Sequence, residues 1–126
     1  MTSARRPRVL LADDSTELLR AFDRLLTPSC EVVGRVADAS ALIDEARRLE
    51  PDVIVLDLFM RPGNGLEVCR QLKKAVPHTK TIIVSAADDA GIGNEALRAG
   101  ASAFVGKVRA VKDLLPAIRH ATATSA

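Results

Sequence analysis

Five short apolar runs, rich in Val, Ile and Leu, alternate along the chain with segments whose apolar residues recur at helical spacing. Apolar runs of this length, without polar alternation, predict strands that are buried on both faces of a sheet. The predicted strands are 9–12, 30–36, 52–57, 81–85 and 101–106. The predicted helices are 18–26, 39–49, 65–76, 91–99 and 111–121. Such an alternation is typical of an α/β fold.

The connections between these elements restrict the topology further. Strands joined by helices run parallel, with right-handed crossovers. Five βα units fit a doubly wound parallel five-stranded sheet in the flavodoxin-like order 2-1-3-4-5, and they are too few for a closed (β/α) barrel. The 126 residues suit one domain, which we expect at residues 8–121, after a flexible N-terminus at 1–7 and before a tail or linker at 122–126.

Pro116 restricts the last helix, because a proline inside a helix removes a backbone hydrogen bond. We therefore expect Pro116 to lie in the first turn of that helix, or the helix to begin later than Val111.

Composition excludes several classes of function. Aromatic residues make up 2% of the chain and the net charge is +2, so a base-stacking surface and a polyanionic partner are both disfavoured. No apolar run approaches the length that spans a bilayer. Cys30 and Cys69 lack a CxxC spacing, which favours buried, reduced thiols. We expect a cytoplasmic domain without membrane contact or direct nucleic-acid binding.

Polar residues stand at the carboxyl ends of four of the predicted strands. Asp13 and Asp14 follow the first strand, Asp57 and Ser85 end the third and fourth, and Lys107 follows the fifth. Each has a plain explanation alone: the acids as helix caps, Ser85 as a turn residue, Lys107 as a solvated surface charge. In a parallel sheet of this order, however, these ends share one edge, where ligands bind. Their joint presence there favours a functional site.

The residue types at this edge suit phosphoryl transfer. Three carboxylates repel one another unless a cation joins them, and oxygen ligands of high charge select a hard ion such as Mg²⁺. With that charge neutralised, Asp57 can act as a nucleophile towards a phosphoryl group. Lys107 can pair with a phosphoryl oxygen and Ser85 can donate a hydrogen bond to another.

With these residues in place, the chain resembles the receiver domain of bacterial two-component response regulators over residues 8–120. The matching segments are Leu11-Ala12-Asp13-Asp14-Ser15, Val53-Ile54-Val55-Leu56-Asp57-Leu58, Gly65-Leu66-Glu67, Val84-Ser85-Ala86, Gly100-Ala101 and Phe104-Val105-Gly106-Lys107. The resemblance implies that Asp57 accepts a phosphoryl group from a sensor histidine kinase. It implies that Asp14, Asp57 and the Phe59 carbonyl bind Mg²⁺ directly, and Asp13 through water.

The resemblance also implies a switch. Ser85 is expected to move towards the phosphoryl oxygens, and Phe104 to fill the space that Ser85 leaves. That movement would shift the face formed by helix four, strand five and helix five, with Gly91 and Gly93 absorbing the change. This face or neighbouring helices would then form a homodimer. Phe104 as plain core packing is the alternative.

Three departures from the family pattern stand out. Arg61 occupies a position that usually holds proline, and Val108 follows Lys107 where many members have proline, which leaves the route of that loop open. Phe59 is large and apolar where polar side chains are common. Because neither Phe59 nor Ala87 can position water, we predict that the phosphoryl group is lost slowly, with a half-life above about a minute.

Three other functions fit parts of the pattern. They are a hydrolase that uses the same aspartate, a receiver-like module that is never phosphorylated, and a flavodoxin-like cofactor binder. A small domain without a cap, a complete set of five site residues, and acids where a phosphate cradle is needed argue against them in turn. The ending 114–119 is similar to receivers that are joined to helix-turn-helix output domains, although a stand-alone regulator fits as well.

Overall fold

Strands and helices alternate through residues 5–61, 64–86 and 90–123, the part of the chain that the computed structural model describes. The strands are β1 (Arg8–Ala12), β2 (Glu31–Val36), β3 (Val53–Asp57), β4 (Lys80–Ser85) and β5 (Ala103–Gly106). The helices are α1 (Thr16–Leu26), α2 (Ala39–Leu49), α3 (Gly65–Ala75), α4 (Ala90–Arg98) and α5 (Ala110–Ala123). The predicted order of elements is confirmed, and the predicted bounds differ from the observed ones by a few residues at the ends.

All neighbouring strands pair in parallel, in the order β2-β1-β3-β4-β5. The predicted fold class is therefore confirmed. The strand β3 is buried at every residue, because strands pair with it on both edges and helices cover both faces of the sheet. Alternate residues of β3 point to opposite faces, so Val53 and Val55 contact one core and Ile54 and Leu56 the other.

Two apolar clusters hold the layers together. One lies under α2, α3 and α4 and includes the fully buried Leu42, Met60 and Leu72. The other lies under α1 and α5 and includes Leu26 and Leu114. Both clusters are almost wholly aliphatic, as the composition requires.

Helix starts follow from capping side chains in the sequence. Ser15, Asp38 and Asn64 each have an extended backbone and accept a hydrogen bond from an N–H of the first turn that follows. At the other end of α4, Gly100 has a φ of 110°, a conformation that glycine adopts without strain. The loops that follow Asp13 and Asp57 thus each run from a buried strand to a capped helix.

The expectation for Pro116 was wrong. Helix α5 begins at Ala110, earlier than predicted, and Pro116 lies inside it. The proline is exposed, as is Lys112, whose carbonyl loses its helical partner, so water can satisfy that carbonyl. Leu114 and Ile118 hold the opposite face of the helix in the core.

Both ends of the described chain are ordered by contacts or by helix. Helix α5 continues to Ala123, past the predicted end at 121, and residues 124–126 of the predicted tail lie outside the described residues. At the other end, Arg5 pairs with Asp52, and Arg6 donates a hydrogen bond to the Thr27 carbonyl at 3.0 Å. Residues 1–4 of the segment predicted to be flexible are outside the description. None of the helices within it combines the length and apolar character needed to cross a bilayer.

Candidate functional site

The carboxyl ends of the central strands lie at the same level, because the parallel pairing is in register. Asp57 pairs with Val84 at the end of β4, and Ser85 pairs with Gly106 at the end of β5. Asp13 follows directly after β1, and its N–H donates to the carbonyl of Val36 at 3.0 Å. The polar residues that follow these strands are therefore brought to one edge of the sheet, as predicted.

Three carboxylates meet at this edge. One oxygen each from Asp13, Asp14 and Asp57 lies within 4.8 Å of the others. Asp13 and Asp57 are buried, whereas Asp14 is exposed. A cluster of like charges in this environment is unfavourable by itself and favours the binding of a cation.

Lys107 is the positive charge that is shared by the two buried acids. Its Nζ lies 3.2 Å from Asp13 Oδ2 and 3.4 Å from Asp57 Oδ1. The lysine is the first residue of a single 3₁₀ turn, Lys107–Arg109, which connects β5 to α5. That turn is the route of the loop that the sequence left open.

Asp57 has a raised pKa. Burial of the carboxylate is the main cause, and the nearby negative charge of Asp13 adds to it. The N–H of Phe59, 3.2 Å from Asp57 Oδ1, and the ammonium of Lys107 act in the opposite direction. The apo protein thus holds Asp57 in a site where the ionised form is disfavoured and a divalent cation would restore it.

The donor set fits a hard divalent cation such as Mg²⁺. All the side-chain ligands are carboxylate oxygens, which Mg²⁺ prefers. Asp13 Oδ1 accepts a hydrogen bond from the N–H of Ser15 at 2.9 Å, whereas its buried Oδ2 has the Lys107 ammonium at 3.2 Å but accepts no well-oriented hydrogen bond from the described residues. A buried carboxylate oxygen with only this ion pair can accept a further hydrogen bond, which a water on a bound cation would supply.

Ser85 and Phe104, the predicted switch pair, lie on neighbouring strands. Ser85 is fully buried at the end of β4. Phe104 is half-buried and packs against α4, where a Cβ built on Gly93 would lie 3.4 Å from the Phe104 ring. Gly91 and Gly93 are in the first turns of α4, and Ala87 lies outside the described residues.

Known proteins match this chain both in sequence and in structure. A model of the response regulator receiver domain family matches residues 9–119. The chain belongs to this family.

Individual relatives agree with the family match. The DNA-binding transcriptional activator DevR/DosR of Mycobacterium tuberculosis is 38% identical over 121 residues, covering 85% of this chain and 54% of the relative. The chemotaxis protein CheY of Thermotoga maritima is 29% identical over 101 residues, covering 79% of this chain and 84% of CheY. The response regulator domain of Thermotoga maritima CheB superposes with a TM-score of 0.85 at 32% identity, covering 94% and 98% of the two chains. This receiver domain spans about half the length of several of the curated relatives that it matches.

The loop after Asp57 shows how the receiver domain accommodates its departures from the family pattern. Met60 is fully buried, whereas the Phe59 side chain is 57% exposed, so the large aromatic does not enter the core. The N–H of Gly65 donates to the Leu58 carbonyl at 2.7 Å, and a Cβ on Gly65 would lie 2.6 Å from that oxygen. Only glycine permits this close return of the loop, of which residues 62–63 lie outside the description.

Sequence reasoning missed one contact in the receiver domain. Arg61 Nε lies 3.9 Å from Asp14 Oδ2. The sequence marks Arg61 as unusual for its position, but its proximity to Asp14 depends on how the loops after β1 and β3 approach each other. The acidic cluster therefore has two cations beside it, Lys107 and Arg61.

Proposed function

We propose that this receiver domain takes a phosphoryl group onto Asp57 from a sensor histidine kinase, in a Mg²⁺-dependent step, and that phosphorylation changes an interaction face. Phosphorylation of an aspartate is the general mechanism of the family. The observation that carries the assignment to Asp57 is its position: a buried carboxylate at the sheet edge, 3.4 Å from Lys107 and grouped with two further carboxylates.

The chemistry of the transfer follows from the contacts of Asp57. Oδ1 of Asp57 has the Phe59 N–H at 3.2 Å and Lys107 Nζ at 3.4 Å, and we therefore expect Oδ2 to be the oxygen that attacks phosphorus. An oxygen–phosphorus bond forms while the bond from phosphorus to the donor imidazole nitrogen breaks, and that nitrogen keeps the electron pair. Lys107 stabilises the charge on the phosphoryl oxygens, and Ser85 donates a hydrogen bond to one of them.

The metal site belongs to the same proposal. Asp14, Asp57 and the Phe59 carbonyl would hold Mg²⁺ directly, and Asp13 through water. When bound, the ion neutralises the charge that builds up between the carboxylates and the phosphoryl oxygens. The buried Oδ2 of Asp13, which accepts no well-oriented hydrogen bond from the described residues, and the grouping of the three acids support this assignment.

A small acyl phosphate tests the proposal without the kinase. The protein is incubated with acetyl phosphate and Mg²⁺, and intact mass is measured for the wild type, Asp57→Asn and a control, Asp44→Asn, whose carboxylate is exposed on α2. We expect one phosphoryl group on the wild type and on the control, and none on Asp57→Asn or after chelation of Mg²⁺. Uptake by Asp57→Asn would overturn the assignment. Sustained turnover of the acyl phosphate, with no stable adduct, would instead indicate a hydrolase.

The switch depends on Ser85 and Phe104. The burial of Ser85 beside Asp57's strand, and the packing of Phe104 against Gly93, link the site to α4. We expect Ser85→Ala to permit phosphorylation but to reduce the response of α4, β5 and α5, read as amide shift changes by NMR. A response equal to that of the wild type would rule out the relay and leave Phe104 as core packing.

The partners follow from the same face. Leu97 on α4, Val108 in the 3₁₀ turn and Val111 on α5 are large apolar side chains that are exposed. They support a homodimer or a protein partner on the α4–β5–α5 face. The relative DevR/DosR is a DNA-binding activator, and the chain covers 54% of it, which supports a covalent DNA-binding output domain for this receiver. Cytoplasmic location is also part of the proposal, supported by two buried free thiols, Cys30 and Cys69.

A further inference from the structure

The three carboxylates of the site do not share one cation. Lys107 pairs with Asp13 and Asp57, at 3.2 and 3.4 Å, whereas the cation beside Asp14 is Arg61, with Nε 3.9 Å from Oδ2. Asp14 is also the exposed member of the cluster, and therefore the one that an incoming ion from solvent meets first. The residue next to that entry point is positively charged.

The backbone around Arg61 is held by the fold, and its side chain is not. The Arg61 carbonyl accepts a hydrogen bond from the N–H of Ala39, at the start of α2, at 3.1 Å. The preceding residue, Met60, is fully buried, and its N–H donates to the Asp57 carbonyl at 3.2 Å. The Arg61 side chain is 86% exposed, so it can leave Asp14 at little cost. The fold therefore places the Arg61 backbone near Asp14, whereas the Arg61 side chain can move away from the carboxylate when a cation binds.

We propose that the Arg61 guanidinium competes with the divalent cation for the Asp14 carboxylate. The proposal rests on the proposed function only in taking the acidic cluster as the metal site. In the apo state, Arg61 offsets part of the charge of Asp14, and a cation that binds Asp14 competes with it for that carboxylate. The receiver domain consequently binds the ion less tightly than its three carboxylates alone would, and phosphorylation becomes sensitive to the concentration of free Mg²⁺.

The expected effect is modest, because the pair is exposed and its atoms are far apart. Exposed ion pairs change an equilibrium by about two- to fivefold at most, and salt weakens them. Removing Arg61 should therefore tighten cation binding by about two- to fivefold at low ionic strength. The difference should shrink towards zero at high salt, since the guanidinium is then screened from Asp14.

The test measures metal binding to the unphosphorylated full chain. Mn²⁺ is titrated and its free fraction followed by electron paramagnetic resonance, with Mg²⁺ added as a competitor. The variants are Arg61→Ala, Arg61→Lys and the control Arg70→Ala, which removes the same charge from an exposed pair with Glu67 on α3. We expect a lower Kd for Arg61→Ala, a Kd near the wild type for Arg61→Lys, and a smaller change for Arg70→Ala.

Three outcomes would overturn the proposal. They are an unchanged or higher Kd in Arg61→Ala, an equal fall in Arg70→Ala, which would show only the effect of net charge, and a Kd in Arg61→Lys as low as in Arg61→Ala. Unfolding curves for each variant confirm that it folds. The measurement uses no phosphoryl donor, so a failure of Asp57 to be phosphorylated would overturn the proposed function and leave this result to decide the role of Arg61.

Discussion

Two aspartates lie at opposite ends of the central strand β3, and their carboxylates have opposite environments. Asp52, just before the strand, accepts two hydrogen bonds from the Arg5 guanidinium, at 2.7 and 2.8 Å, and another from the N–H of Arg8 at 2.8 Å. Asp57, at the other end, is buried beside Asp13 and has a raised pKa. The carboxylate of Asp52 is thus stabilised by hydrogen bonds at one edge of the sheet. The carboxylate of Asp57, at the other edge, is buried with too little positive charge around it.

The difference teaches where chemistry is placed in this fold. A carboxylate that accepts several hydrogen bonds, as Asp52 does, stabilises the structure and gains little from a further ligand. A carboxylate that is buried with too few partners costs stability and gains from a cation or a phosphoryl group. The unequal treatment of Asp52 and Asp57 is therefore a physical sign of function that does not depend on any relative.

The largest expected effect comes from removing the shared cation. Lys107→Ala leaves Asp13 and Asp57 buried without their positive partner, and we expect the free energy of unfolding of the apo protein to fall by about 3 kcal/mol. Urea unfolding followed by far-UV circular dichroism measures it, because the chain has no Trp or Tyr for fluorescence. Lys112→Ala, an exposed lysine of α5, is the control. Equal stability of the two variants would mean that Asp13 and Asp57 do not depend on the positive charge of Lys107.

The next effect concerns the fate of the phosphoryl group. The Phe59 side chain is exposed next to the acceptor and cannot position water. We expect Phe59→Asn to accelerate the loss of the phosphoryl group about tenfold, because a polar side chain can orient the attacking water. The decay of the phosphorylated mass over time measures it, with Leu97→Asn, a change at an exposed apolar residue of α4, as the control. A wild-type half-life below about a minute would contradict the predicted slow loss.

The two aspartates should respond to the same substitution with opposite signs. Asp57→Asn removes an unfavourable buried charge and should raise the free energy of unfolding of the apo protein by about 1 kcal/mol. Asp52→Asn weakens its contacts with Arg5 and Arg8 and should lower that free energy by about 1 kcal/mol. Both are read from urea unfolding without Mg²⁺. Changes of the same sign would break the comparison.

The smallest effect is the dependence of the Asp57→Asn difference on pH. The folded-state pKa of Asp57 is raised, so the folded protein binds the proton more tightly than the unfolded chain does. In the unfolded chain an aspartate has a pKa of about 3.9. The stability of the wild type relative to Asp57→Asn should therefore fall as the pH rises from about 4 through the folded pKa, and then stay constant. Unfolding at several pH values, without and with Mg²⁺, measures this. Mg²⁺ should restore the stability that the wild type loses at neutral pH. A difference that is independent of pH would show that Asp57 is not perturbed.

The elements and the edge could be predicted from the sequence because both depend on local signals. Apolar runs identify β1 to β5, capping residues such as Ser15 and Asn64 mark where helices begin, and the parallel connection rule then brings Asp13, Asp57 and Lys107 to one edge. These features need only the order of residue types along the chain, so no distance had to be known.

Pro116 shows the limit of those local signals. Its helix propensity argues against an interior position, yet packing of the buried face of α5 keeps the helix intact around it.

The determinants of the site's chemistry came only from the tertiary structure. The raised pKa of Asp57, the reach of Lys107 to two acids and the approach of Arg61 to Asp14 all join residues that lie far apart in the chain. The sequence alone determined which charged groups reach the sheet edge, because the direction of each strand decides that. Only the folded structure decided which of those charges are paired and which are not, since Coulomb energies and burial depend on distances that are set when all the loops pack together.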